Sequence, residues 1–165
     1  MAALSAGLQA PEINLASLEG ARFSLHDTLK KGPVVAVFFK VSCPVCQMAL
    51  PYVQRIFKAY GDNRKLTMTG VSQDNAADTR EFNREFGVTF PMLLEGQGYP
   101  ISRVYGLTNV PTIFLISPDG EIEITIVSWS KREIEELNVR LAEICGVNPA
   151  QIFRSGEQVP EFRPG

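Results

Sequence analysis

Six apolar residues, Val34 to Phe39, follow one another without a break, and after Lys40, Val41 and Ser42 comes a Cys43-Pro44-Val45-Cys46 motif. A β-branched and aromatic run with no polar alternation is the pattern of a strand covered on both faces, so it predicts a central strand in a layered fold. Three chemistries fit a cysteine pair at the end of such a strand: half of a metal site, a structural disulfide, or a dithiol that carries electrons.

The 165 residues suit one domain with a full core, and 45% hydrophobic with 21% charged residues is ordinary globular composition. A net charge of -2, with both signs intermixed, creates no field that would draw nucleic acid or an anionic membrane, so neither is expected as a partner. The opening MAALSAGLQAPEINL lacks a basic n-region followed by an apolar core, and nowhere is there the run of roughly 18 to 20 apolar residues that crosses a bilayer. A cytoplasmic location is therefore expected. Three cysteines are too few for a disulfide scaffold and leave one unpaired, which makes the structural disulfide the weakest of the three chemistries.

Along the chain, two short strands around the Leu18-Glu19-Gly20 turn predict an N-terminal hairpin at about residues 11–25. Beyond the cysteines, Val45, Met48, Ala49, Tyr52, Val53, Ile56 and Phe57 recur at helical spacing, predicting a helix that opens at the cysteine pair and ends near Gly61. Pro51 lies inside it, where its missing N–H predicts a kink. Lys65 to Ser72 reads as a strand, and residues 76–87 as a helix with Phe82 and Phe86 on one face. Residues 89–94 form a short extended piece and residues 99–106 a short helix. Thr112 to Ser117, the Pro118-Asp119-Gly120 turn and the alternating Glu121 to Val127 predict a β-hairpin. The last helix carries a capping box, Ser130 with Glu133, an apolar stripe of Ile134, Leu137, Leu141 and Ile144, and a stop at Gly146. Residues 1–146 thus read as one domain, with 147–165 an extended or disordered tail. The order of elements gives an α/β fold with a mixed central sheet flanked by helices, and it puts the dithiol at the carboxyl end of a central strand.

That position has chemical consequences. A cysteine at the first turn of a helix faces unpaired N–H groups and the positive end of the helix dipole, both of which favour thiolate over thiol. Cys43 occupies this place and is the candidate nucleophile. Cys46, one turn on, is the candidate resolving cysteine, which displaces the substrate from a mixed disulfide on Cys43. Pro44 suits the first helical position because its N–H is not needed there. Pro44 and Val45, between the cysteines, and Lys40, three residues upstream, are candidate modulators of the pair.

A strand, Cys43-Pro44-Val45-Cys46, a proline-kinked helix, and downstream Val110-Pro111-Thr112 entering another strand resemble the thioredoxin superfamily. The N-terminal hairpin and the insertion before Thr89 are most similar to its TlpA-like and AhpC/TSA (redoxin) branches. The resemblance implies a thioredoxin fold over Leu8 to about Gly146, a cis bond before Pro111, and substrate pairing with the backbone of Val110. It implies a thiol-disulfide oxidoreductase needing no bound cofactor or metal. Its partners would be protein or small-molecule disulfides and dithiols, with a thiol electron donor, and the protein is expected to be a monomer. Three positions depart from the superfamily. Val37 replaces the buried acid of thioredoxin, Ala49 the glutamate of the TlpA-like branch, and Ser42 the usual tryptophan, so no proton relay is assigned.

Other residues have plainer readings. Cys145 lies on the apolar stripe of the last helix and reads as an inert core thiol. His26, the only histidine, reads as a surface residue, and Met48, Met68, Phe38 and Phe39 as packing. The rival enzyme is a peroxiredoxin-like thiol peroxidase, whose Pro-x-x-x-Thr/Ser-x-x-Cys loop would need proline and a hydroxyl where this chain has Ala36 and Lys40. The non-enzymatic rival is a Cu(I)-binding protein. Zinc, which takes four ligands, would find only Cys145 and His26 beyond the pair.

Overall fold

The computed structural model describes residues 2–165. Short strands β1 (Asn14–Ala16) and β2 (Arg22–Ser24) pair antiparallel, and their tip reaches the sheet through Leu18 N–H to the Met92 carbonyl at 2.9 Å. A five-residue helix, α1 (Leu25–Leu29), follows at once. Its start is capped by Ser24, whose Oγ accepts the Asp27 N–H. Glu12 accepts both the Ser24 hydroxyl and the His26 N–H, which fixes this corner. This helix carries no sequence signal of its own, since one helical turn offers too little periodicity to detect.

The central sheet holds β3 (Val34–Phe39), β4 (Thr67–Ser72), β5 (Met92–Leu94), β6 (Thr112–Ile116) and β7 (Ile122–Val127) in the order β5-β4-β3-β6-β7. The β3, β4 and β5 strands run parallel, whereas β6 and β7 run antiparallel to their neighbours, so the sheet is mixed. Between the strands lie α2 (Pro44–Tyr60), α3 (Ala76–Phe86) and α4 (Pro100–Val104), and α5 (Lys131–Cys145) follows them. All six residues of β3 are fully buried. The reason is their alternation: Val35, Val37 and Phe39 join the core under α2, α3 and α5, while Val34, Ala36 and Phe38 join a second core with Leu25, Tyr105 and Phe114. Each of the Val and Phe side chains contributes about 1.5–3 kcal/mol relative to leaving it in water, which pins the strand and whatever follows it.

Gly70 in β4 leaves room for the Met92 side chain, which a Cβ there would displace. The α2 helix runs on through Pro51 to Tyr60. At α5, Ser130 Oγ accepts the Glu133 N–H at 3.3 Å and Gly146 ends the helix in the left-handed conformation.

Residues 147–165 pack along the molecule in extended form. They add β9 (Phe162–Arg163), paired antiparallel with β8 (Trp129–Ser130). The buried Trp129 donates its indole N–H to the Pro160 carbonyl at 2.6 Å, and Tyr52, Trp129 and Phe153 stack together. Arg55 of α2 grips the segment with a two-pronged pair to Glu157 (2.8 and 2.7 Å) and a further bond to the Ile152 carbonyl. The Arg55 guanidinium and the Arg154 N–H hold the Glu157 carboxyl at about 2. Among the described residues no helix is long and apolar enough to cross a membrane.

Because the Glu157 value is depressed in the folded state, the clip is fully present above the ordinary carboxyl value near 4.5 and is lost as pH falls through about 2. Glu157→Gln is expected to speed amide hydrogen exchange in residues 152–163 at neutral pH while β3 stays protected. Equal exchange in parent and variant would show that the ion pair does not hold the segment.

Candidate active site

The parallel strands β3 and β4 both end at the site, which the alternation of strand and helix places at their carboxyl edge. Cys43 is the N-cap of α2, in extended conformation at φ -82°, and Pro44 takes the first helical position. Its sulfur accepts the Cys46 N–H at 3.2 Å and lies 3.5 Å from the Val110 carbonyl, to which the thiol donates. One of the orphan donors of the helix start is thereby aimed at the sulfur that the sequence reading chose as nucleophile.

The two thiols differ sharply. Cys43 is half-buried, Cys46 has no exposure, and both are free thiols. Burial pushes the Cys46 thiol well above the ordinary value near 9. Its contact with Cys43 and the negative field of Asp74 push the same way, against the opposing pull of the Lys40 backbone. Cys46 is therefore a protonated, shielded sulfur in the reduced protein.

The loop between β3 and α2 is held from three directions. Cys43 N–H bonds to the Lys40 carbonyl at 3.2 Å, the Gln47 amide donates to the Val41 carbonyl at 2.9 Å, and Val41 N–H donates to Asp74 Oδ2 at 2.8 Å. Asp74 stands just beyond β4, and its own N–H is anchored on Ser72 Oγ. Sequence reasoning missed it. The available signal was an acid immediately after a strand parallel to β3, which the topology brings to the same edge. The positions where thioredoxin-like proteins carry acids are here apolar and buried, Val37 and Ala49. That leaves Asp74 as the carboxylate whose field reaches Cys46.

Opposite Cys43 lies the Asn109 to Thr112 turn, with a cis peptide bond between Val110 and Pro111. Thr112 Oγ1 donates to the Asn109 carbonyl at 2.7 Å, and Ser128 N–H donates to the Pro111 carbonyl at 2.9 Å, so the turn is braced from β6 and from the end of β7. Gly165 reaches it as well, through Asn109 Nδ2 to its carbonyl and its own N–H to Ser128 Oγ.

The structure brings together Cys43, Cys46, Val110 and Pro111. Pro44 and Val45 border a groove of about 290 Å³ with Met48 and Arg163. Met48 therefore departs from its reading as plain packing, for it is only half-buried and presents one side to that groove. Lys40 is half-buried, its Nζ 5.8 Å from the centre of the Tyr99 ring, and so lies at the site edge. Tyr99 holds a left-handed backbone conformation at φ 50°, which costs of order 1 kcal/mol for a non-glycine residue and fixes the ring at the mouth of α4. Cys145 is elsewhere, in the core at the end of α5, its thiol raised by burial against a weaker pull from Lys65. His26 is exposed, 3.7 Å from Glu12 and remote from the dithiol in the hairpin corner. Among the described residues no three His, Cys, Asp or Glu side chains converge as a metal-ligand set.

The sequence profile of the AhpC/TSA family matches residues 6–125. The chain belongs to the AhpC/TSA family. Within it, the chain is similar to the thioredoxin-like protein YneN of Bacillus subtilis, with 30% identity over 135 residues that cover 79% of this chain and 76% of that one. It is also similar to the thiol-disulfide oxidoreductase ResA of Bacillus thuringiensis, with 27% identity over 127 residues, 77% of this chain and 72% of that one. Among solved structures, the thioredoxin domain of a thiol-disulfide oxidoreductase from Bacteroides vulgatus superposes with a TM-score of 0.69 at 26% identity. The match covers 81% of this chain and 98% of that one. This AhpC/TSA member has the thioredoxin fold, a mixed five-stranded sheet between helices preceded by an antiparallel hairpin.

The asymmetry of the thiols is directly measurable. Iodoacetamide at neutral pH is expected to label Cys43 in the reduced protein and leave Cys46 and Cys145 unmodified. In Asp74→Asn, removal of a nearby negative charge should move the onset of Cys46 labelling to lower pH. Mass-spectrometric mapping that finds both cysteines of the pair labelled at equal rates would contradict the assignment.

Proposed function

We propose that the protein is a thiol-disulfide oxidoreductase in which Cys43 attacks and Cys46 resolves. The observation that carries the reading is the division of labour within one helical turn: one sulfur accessible and capped by a backbone N–H, the other buried and held protonated.

In the reductive direction, the Cys43 thiolate attacks one sulfur of a substrate disulfide. The substrate S–S bond breaks, a Cys43–substrate disulfide forms, and the first substrate thiolate leaves. Cys46 then gives up its proton and attacks Cys43 Sγ. The intramolecular disulfide forms, the second substrate thiolate leaves, and two electrons have passed from protein to substrate. Oxidation of a dithiol runs through the same steps in reverse. A separate thiol or disulfide partner restores the starting state.

The backbone of Val110, beside the nucleophile and next to Pro111, is the proposed pairing edge for the substrate chain, a role that β-strand addition suits. Asp74 is the proposed acceptor for the Cys46 proton during resolution, supported by the influence of its charge on that thiol. Protein and peptide disulfides are the proposed substrates. The TlpA-like and AhpC/TSA resemblance and the similarity to ResA support that class.

Cys43→Ser is expected to bring insulin-disulfide reduction down to background, and Cys46→Ser to accumulate mixed disulfides through Cys43, visible as mass adducts lost on reduction. Parental turnover by Cys43→Ser would overturn the assignment of the nucleophile.

A further inference from the structure

Two cations lie around Tyr99 with no carboxylate in ion-pair contact among the described residues: Lys40, in the loop before Cys43, and Arg103 in α4. Arg103 lines a groove of about 190 Å³ with Gln73, Tyr99, Ser102, Asn109 and Val110. Lys40 does not line it, but its Nζ lies 5.8 Å from the centre of the Tyr99 ring, which does. The groove is linked to the reacting sulfur through Val110, which contributes to its wall and whose carbonyl receives the Cys43 thiol.

The negative groups nearby are turned away from this space. Glu95 is buried, and its carboxylate accepts the N–H and the hydroxyl of Ser102, whose Oγ in turn accepts Gln73 Nε2 at 3.0 Å. These bonds hold Ser102 in the groove wall and keep the carboxylate out of the lining. Asp74 is engaged with the Val41 N–H. On the other flank of the loop, Val41 and Gln47 border a second groove together with Asp78, Glu81 and Glu85 of α3. Cys43 therefore sits between a cationic side and an anionic side, and a charged group on a substrate is attracted to one and repelled by the other.

We propose that the Lys40–Tyr99–Arg103 groove is a subsite for a carboxylate carried near the cysteine of a peptide disulfide, so that the preferred substrates are extended segments with an acidic residue beside the bridged cysteine. The proposal rests on the thiol-disulfide reading above and adds the substrate's charge and its orientation. A peptide fits better than a small thiol because Val110, Tyr99 and Arg103 line one groove, so a chain paired at Val110 runs toward Arg103 and past the ring that Lys40 borders.

The test uses three peptide disulfides identical except for Asp, Asn or Lys beside the cysteine, with oxidised glutathione and uncharged bis(2-hydroxyethyl) disulfide alongside. For the parent, kcat/KM is expected to rank Asp above Asn above Lys, with about a fivefold span at low ionic strength that shrinks as salt rises. The Lys40→Glu/Arg103→Glu variant should reverse that order. Should this variant fail to fold, Arg103→Gln serves instead and is expected to cut the Asp-to-Lys ratio about twofold. An unchanged order in the variants, or no ranking in the parent, overturns the subsite while leaving the redox reading intact. Sensitivity of oxidised glutathione alone to the substitutions overturns the peptide assignment. If the parent turns over none of the five disulfides, the oxidoreductase reading fails and the subsite with it.

Discussion

The hydrogen bond from the Cys46 N–H to the Cys43 sulfur organises the chemistry of this protein. It exists because Cys43 is the cap of α2, and α2 starts there because Pro44 is suited to a first helical turn and cannot extend the preceding strand. The same turn carries Cys46 inward to zero exposure, so a single local conformation creates both an accessible capped sulfur and a buried protonated one. A free cysteine pair elsewhere on the surface would lack this polarity.

The turn is stationary because β3 is. A strand buried on both faces cannot slip in register without exposing Val or Phe side chains to water, at about 1.5–3 kcal/mol for each one moved fully out of the core. Asp74 transmits that rigidity to the loop by tying the end of β4 to the Val41 N–H, and the same carboxylate raises the Cys46 thiol. One acid thus positions the loop and adds, after burial and the contact with Cys43, to the rise of the Cys46 thiol. Across the site, Thr112 in β6 and Ser128 just beyond β7 hold the Val110–Pro111 turn, so both sides of the cleft are tied to the sheet.

Much of this was legible in the chain. The unbroken Val34–Phe39 run, the helical spacing after Cys46, the Pro118–Gly120 turn and the Ser130 cap are local signals, and each corresponds to an element of the structure. The thioredoxin-like pattern of two motifs pointed to Val110 and Pro111 although the Cys43–Val110 contact spans 67 residues. What stayed hidden depends on contacts without local pattern. Asp74 meets Val41 across 33 residues, and Tyr99 gains meaning only once α4 packs beside the dithiol. The segment after Gly146 has no periodicity because it is held by partners it does not contain, namely Arg55, Trp129 and Ser128. Helix α1 is one turn long, too short for a periodic signal, and its start leans on Ser24 and on the distant Glu12.

The account stands on the link between the helix-start amide and the Cys43 sulfur, and nuclear magnetic resonance can watch that link directly. In a pH titration of the reduced, 15N-labelled protein, the Cys46 amide proton is expected to move downfield as the Cys43 thiol ionises, and the movement should vanish in Cys43→Ala. A Cys46 amide that shifts identically in parent and variant, or that ignores the ionisation altogether, would mean that the cap does not hold the sulfur anion and would contradict the account.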